Sequence, residues 1–271
     1  MGMSVNTNVG AMLALQNLNK SNKMLETTQL HITTGLKVNG PKDDAATYAI
    51  AQRMRGDIAG MGAVKTALSN GEATVNVAIT AGKAVADMLT EMKAKTVQAN
   101  QAGLDTASRD ALQNDFTSLR NQLETIVQTA EFNGKNLITT GASALTVLST
   151  VDGSTISVTA QIMNATALGL DTSTLANASG AATALTSIDA AIATISGSRS
   201  DLGSYQSRFE SVVANAQTAA ENLSASRSRI MDADFAQETA QLTKSQILQQ
   251  SGIAMLAQAN SIPQNVLALL Q

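Results

Sequence analysis

The side chains best suited to chemistry are few and scattered. The chain has one histidine, His31, and no cysteine. His31 has no second imidazole with which to form a metal pair or a catalytic dyad. Thiol chemistry, disulfides and thiolate zinc sites are excluded outright. Two close pairs of carboxylates stand out, Asp43/Asp44 and Asp232/Asp234. Acid–base catalysis needs carboxyls held in contrasting environments against one reacting atom. These pairs read better as helix caps, where a carboxylate accepts from free backbone N–H groups at the positive end of the helix dipole. The reading is therefore of a chain that is not an enzyme, with no catalytic residues, no metal ligands and no cofactor, and of a histidine with a structural role.

Composition narrows the class further. Of 271 residues, 14% are charged and only 2% aromatic, with no Trp. Charged residues usually make up about a quarter of a globular chain, and enzyme cores use more aromatic mass. The formal net charge of −3 and the lack of a Lys/Arg cluster argue against nucleic acid as a partner. Abundant alanine suits close helix packing.

The elements that must position everything else are helices with a heptad-like 3/4 spacing. One seam runs Leu185, Ile188, Ile192, Ile195, Arg199, Leu202, Gln206, Phe209, Val213 and on to Ile230. A second runs Met54, Asp57, Met61, Val64, Leu68, Gly71, Val75, Ala78, Gly82, Val85, Leu89, Met92. A shorter third uses Leu112, Phe116, Leu119, Leu123, Ile126 and Ala130, entered through Asp105 or Thr106 as N-cap. Together they predict a mainly α fold, a long antiparallel helical bundle or coiled coil built from both termini. Asn133-Gly134 is a turn signal. Beyond it, Val/Ile/Thr-rich stretches at 144–150 and 155–162 flank Asp152-Gly153, which predicts a small β-hairpin insertion. The small polar residues that follow read as a loop, and hairpin and loop are expected to lie outside the helical seams.

The two ends share one oddity. No charged side chain precedes Lys20, and "SQILQQSGIAMLAQANSIPQNVLALLQ" from Ser245 to Gln271 has none either. Both are too polar for a membrane-spanning helix, and the first lacks the pattern of a cleaved signal peptide, so no membrane insertion is expected. At the first end the seam is Ala11, Leu15, Leu18, Asn22, Leu25, Gln29, Ile32, Leu36. The tail carries two adjacent seams, Leu248, Gly252, Met255, Ala259, Ile262, Val266, Leu269 and Ile253, Leu256, Asn260, Pro263, Leu267, Leu270. Two seams and no charge predict a helix that packs on several neighbours at once. The expectation is a subunit whose ends order on assembly with further copies.

Three stretches carry a resemblance. "SVNTNVGAMLALQNLNKSN", "TGLKVNGPKDDAATYAIAQRM" and "RSRIMDADFAQETAQLTKSQILQQSGIAMLAQANSIPQNVLALLQ" are similar to bacterial flagellin, in the family's order. "EFNGKNLI" matches it too. The resemblance implies a core domain of 1–42 with 232–271, a helical rod domain of 43–138 with 180–231, and a hairpin and loop insertion at 139–179. The family's outer variable domains are not expected in a middle this short. It implies a structural, self-assembling subunit of the motility filament, the alternative being a hook–filament junction protein.

The resemblance implies further partners and sites. They are copies of the chain itself, the type III flagellar export apparatus and an export chaperone, and hook-junction and cap proteins. The location is extracellular, reached without a cleaved signal peptide. The expected polymerisation interface is Leu15, Leu18, Leu25 and Ile32 with Leu248, Met255, Leu256, Ile262, Val266, Leu267 and Leu269. In many flagellins an animal cell-surface receptor reads a stretch resembling L-Q-R-V-R-E-L-A-V-Q. The matching "LTEMKAKTVQ" has Glu91 where those relatives place their first Arg, and Ala94 where they place Glu. A reversed charge there should weaken recognition.

Overall fold

The computed structural model describes residues 7–268, with side chains for 7–261. The chain divides into two compact units, one of residues up to Gly56 together with those from Glu221, the other Asp57–Ala220.

Five helices carry most of the fold: α1 (Val9–Thr34), α2 (Ala45–Ala99), α3 (Thr106–Thr129), α4 (Ala178–Met231) and α5 (Phe235–Ala268). Their starts are set by short polar side chains that accept from otherwise free N–H groups. Asn8 Oδ1 accepts from Ala11 N at 3.0 Å, and Asn177 Oδ1 from Gly180 N at 2.7 Å. Asp44 accepts from the amides of Ala46 and Thr47 at 3.0 and 3.1 Å and from the Thr47 hydroxyl at 2.6 Å. Asp105 caps α3 through Ser108 N. Asp234 caps α5 through Ala236 N at 2.9 Å and Gln237 N at 3.3 Å. Asp43 closes the preceding turn by accepting from Asn39 N and Gly40 N. Asp232 takes the Ser228 hydroxyl. All four acidic residues flagged as possible acid–base pairs thus have backbone or hydroxyl donors. Gly35 ends α1 at φ +70°, its N–H donating to His31 O at 2.8 Å.

In the unit of Asp57–Ala220 the second seam is buried as spaced from Val64 onward: Val64, Leu68, Val75, Ala78, Val85, Leu89 and Met92 are core, while Asp57 and Met61 before them are half-buried. Phe116, Leu123 and Val127 of α3 join Ile188, Ile195, Leu202 and Phe209 of α4 in the same core. By length and composition α4 is apolar enough to cross a membrane; here its apolar face packs into this core. Lys93 pairs with Asp189 at 2.6 Å and Lys95 with Asp115 at 2.7 Å, lacing α2 to α4 and α3. The guanidinium of Arg109 donates to the Ala99 carbonyl at the α2–α3 turn.

Two hairpins follow α3. Strands β1 (Glu131–Phe132) and β2 (Lys135–Asn136) flank Asn133 and Gly134, at φ +50° and +72°, the geometry for which Asn-Gly is suited. Strands β3 (Leu145–Leu148) and β4 (Thr155–Val158) pair antiparallel, with Val147 opposite Ile156.

The position of this segment corrects the expectation that hairpin and loop stand outside the helical seams. Val147, Ile156 and Val158 are core residues, as are Met163, Leu168, Leu170 and Leu175 of the loop. The backbone fixes the loop as well. Gln161 N donates to Leu137 O at 2.8 Å and Met163 N to Ile138 O at 2.9 Å. Leu175 N donates to the Gln113 side chain of α3 at 2.5 Å, and Arg120 reaches Asp171 O at 2.9 Å. Gly71 is what lets the hairpin approach α2: a β-carbon there would lie 2.7 Å from Val147 Cγ2.

Candidate functional site

The other unit is built around α1 and α5, which pair antiparallel. Asn8 Nδ2 donates to Ala259 O at 2.7 Å, Leu18 faces Gly252, Gln249 Nε2 donates to Asn22 Oδ1 at 2.9 Å, and His31 Nδ1 lies 3.0 Å from Glu238 Oε1. Residue numbers fall along α5 as they rise along α1. Beyond α1 the chain returns through a small cluster of Val38, Ala51 and Met231, where Lys37 N and Val38 N donate to Met231 O. His31, the chain's single histidine, thus serves as a tie between the two helices.

The inward faces have an unexpected composition. On α1 the shielded positions at 3/4 spacing are Ala11, Ala14, Leu18, Ser21, Leu25, Thr28 and Ile32, with Met24 and His31 half-buried beside them. On α5 they are Glu238, Leu242, Ser245, Gln249, Gly252, Leu256 and Ala259, with Gln241 and Ser261 half-buried as well. Small and polar residues fill more than half of each run. Ser245, Gly252 and Ala259 recur at sevens on α5, as Ala14, Ser21 and Thr28 do on α1, and the helices come close where Gly252 meets Leu18: a β-carbon there would lie 3.3 Å from Leu18 Cδ1 and 3.8 Å from its Cα. Ser245 and Thr28 are 0% and 4% exposed.

Close packing through small residues leaves much of the bulk outside. Val9, Met12, Leu13 and Leu15 on α1 are 70, 64, 58 and 48% exposed. Ile247, Leu248, Ile253 and Met255 on α5 are 57, 41, 55 and 64% exposed. Apolar side chains this open and this concentrated form the sort of patch that marks an interaction surface. A groove of about 670 Å³ runs along the pair, with Leu13, Ala14, Leu248 and Met255 in its walls and Lys20 and Lys244 beside them.

The residues expected at a polymerisation interface fall into three sets. Leu15, Leu248 and Met255 are exposed. Leu18, Leu25, Ile32 and Leu256 are half-buried on the inward faces. The side chains of Ile262, Val266 and Leu267, and Leu269 as a whole, lie outside the described residues. Val9, Met12, Leu13, Ile247 and Ile253 were missing from the expected set. The signal that could have found them is the heptad of Ala, Ser, Thr and Gly, which marks the closest approach and so turns the neighbouring large residues outward. The ends were expected to order only on assembly, whereas α1 and α5 are helical and paired within the single chain. Their polar cross-links, Asn8–Ala259, Asn22–Gln249 and His31–Glu238, were not visible in an apolar pattern.

Elsewhere, Glu91 and Ala94 lie exposed on α2 while Leu89, Met92 and Thr96 of the same stretch are buried. Among the described residues no group of three or more His, Asp or Glu is placed to hold a metal ion. Two aspartates have carboxyls held below the ordinary carboxylate range. For Asp44 the leading cause is the Thr47 hydroxyl, for Asp105 that of Ser108, each followed by the backbone N–H of the same residue. These are capping effects.

Comparisons with known proteins agree with this arrangement. Residues 5–142 match the family described as bacterial flagellin N-terminal helical region, and residues 185–270 match bacterial flagellin C-terminal helical region. The chain is 42% identical to flagellin FljK of Caulobacter vibrioides over 187 residues, covering 69% of this chain and 68% of that protein. It is 41% identical to flagellin C of Rhizobium meliloti over 141 residues, covering 52% and 43%. In fold it is similar to the crystal structure of Bacillus cereus flagellin, with a TM-score of 0.50, 23% identity, and coverage of 59% of this chain and 93% of that one. With both helical regions matched and relatives of this identity, the chain belongs to the bacterial flagellin family.

Proposed function

We propose that this chain is the structural subunit of a bacterial flagellar filament, working outside the cell in motility, and that it polymerises through the outward faces of α1 and α5. The observation that carries this reading is the apolar surface left open by the small-residue pairing of those helices. A monomer gains nothing by presenting Met12, Leu13, Ile253 and Met255 to water. Burying a large apolar side chain is worth about 1.5–3 kcal/mol, so contacts repeated along a polymer would cover a strongly favourable surface. The apolar residues of this surface are uncharged themselves and are bordered by Lys20, Lys23 and Lys244.

Leu15, Leu248 and Met255 are assigned to contacts between copies. Leu18, Leu25, Ile32 and Leu256 hold the pair that presents them. Ile262, Val266, Leu267 and Leu269 are assigned to the same interface from the sequence pattern. Delivery through the flagellar type III apparatus with an export chaperone, and contact with hook-junction and cap proteins, belong to this reading as family properties. Glu91 and Ala94 mark a face of α2 through which receptor recognition is weakened.

The test is seeding. Purified chain is mixed with short flagellar filament fragments and followed by negative-stain electron microscopy. Elongation into long filaments supports the proposal. Capping of seeds without elongation would instead indicate a hook–filament junction protein.

A further inference from the structure

Sulfur in this chain is confined to thioethers, with eleven methionines and no cysteine. The described methionines divide by exposure. Met92 and Met163 are 0% exposed, Met231 6% and Met88 9%. Met24, Met54 and Met61 are half-buried. Met12 and Met255 stand apart at 64% each. Both lie on the uncovered apolar faces: Met12 beside Leu15 in a hollow of about 500 Å³, Met255 with Leu13 and Leu248 in the groove between α1 and α5.

We propose that Met12 and Met255 are the oxidation sites among the described methionines, and that their conversion to sulfoxide by peroxides reversibly blocks addition of the free subunit to a filament. The inference rests on the filament-subunit reading. The step is a two-electron oxygen transfer. A sulfur lone pair attacks one oxygen of hydrogen peroxide, the S–O bond forms as the O–O bond breaks, and the departing hydroxide takes the remaining proton from the sulfur-bound oxygen and leaves as water. Sulfur is oxidised, peroxide is reduced, and no other reactant is needed. Selectivity follows from access, because the thioethers at 88, 92, 163 and 231 meet oxidant only when their cores open.

The product explains the block. A flexible apolar side chain becomes polar and chiral. In the free subunit the new oxygen stays in water, so the α1–α5 pair is undisturbed. In a contact between copies it would have to leave water for a patch of Leu13, Leu15 and Leu248 bordered by Lys20, Lys23 and Lys244, and a polar group taken out of water costs more to bury there than the thioether it replaces. Sulfoxide reductases return the thioether, so the effect is reversible while the subunit is free.

The experiment treats the purified full chain with hydrogen peroxide, quantifies each methionine by peptide mass spectrometry, and measures seeded elongation. Met12 and Met255 should oxidise at least about tenfold faster than Met88, Met92 and Met163, and elongation should slow at least about tenfold with an unchanged circular dichroism spectrum. Methionine sulfoxide reductases A and B with dithiothreitol should restore it. The double variant M12L/M255L, which conserves volume, should elongate before and after oxidation, and M12Q/M255Q should fail without any oxidant. Oxidised wild-type chain elongating at the untreated rate, M12Q/M255Q elongating normally, or M12L/M255L losing elongation on oxidation would each overturn the inference. Failure of the untreated wild type to elongate would instead strike the filament-subunit reading itself.

Discussion

Replacing Gly71 by alanine tests whether the β3–β4 hairpin is truly packed on α2. A β-carbon at position 71 would lie 2.7 Å from Val147 Cγ2, 3.3 Å from its Cγ1 and 3.5 Å from Phe209 Cζ. Val147 is 5% exposed and Phe209 0%, so neither has room to move, and a valine side chain is stiff at χ1. Overpacking of this kind costs about 1–3 kcal/mol. The exchange of glycine for alanine inside a helix returns about 1 kcal/mol. The net loss for Gly71→Ala is therefore about 0–2 kcal/mol, too small to be decisive alone. The coupling is decisive. Val147→Ala on its own removes two buried carbons and should cost about 1–3 kcal/mol. In the double variant the new methyl fills the space left by the valine, so the combined loss should fall short of the sum by at least about 1 kcal/mol. Urea unfolding of the full chain, with hydrogen exchange read on α2 and α4 amides within 57–220, provides the measurement. Strictly additive losses would refute the packing argument.

Deleting 145–178 should unfold the Asp57–Ala220 unit: it removes Val147, Ile156, Val158, Met163, Leu168, Leu170 and Leu175 from the core, each worth about 1.5–3 kcal/mol against a typical total stability of about 5–15 kcal/mol. Native-level exchange protection of α2 and α4 in the deletion would contradict this. Asp44 and Asp105 have depressed carboxyl pKa values, so their capping is present above the ordinary aspartate value and lost as pH falls through the lower folded one. Amides 46–48 and 107–109 should keep their protection factors at pH 5 and lose them, relative to intrinsic exchange at each pH, below about pH 3.9, with Asp44→Asn removing the step at α2; a step near neutrality would be the wrong result. With Glu91 and Ala94 exposed on α2, the chain should be a weak agonist of the animal flagellin receptor, and Glu91→Arg with Ala94→Glu should raise potency at least about tenfold in a reporter-cell assay. Equal potency before and after the exchange would refute it.

Large side chains at regular spacing made part of this fold legible. The α2 run from Val64 to Met92 is buried position by position, and the turn at Asn133-Gly134 and the caps Asp44, Asp105 and Asp234 stand where their chemistry places them. Interfaces built on small residues were not legible. On α4, Ala184, Ala191 and Ser198 are buried while Leu185, Ile192 and Arg199 beside them are only half-covered, and on α5 the expected seam splits, with Gly252 and Ala259 turned inward beside Ser245 and Leu248 and Met255 exposed. An apolar pattern ranks residues by size, whereas close helix approach selects against it. The loop holding Met163, Leu168, Leu170 and Leu175 was missed for another reason: it has no period, and its docking depends on distant partners such as Gln113 and Arg120.

The central claim is that copies join through the open faces of α1 and α5, and Leu15→Asp and Leu248→Asp test it most directly. Their parent side chains are already 48% and 41% exposed, so the free chain should keep its circular dichroism spectrum and the exchange protection of the α1–α5 pair. A carboxylate forced into an apolar contact without a partner costs several kcal/mol, so seeded elongation, read by sedimentation and electron microscopy, should be abolished in each. Folded variants that elongate at the wild-type rate would contradict the account.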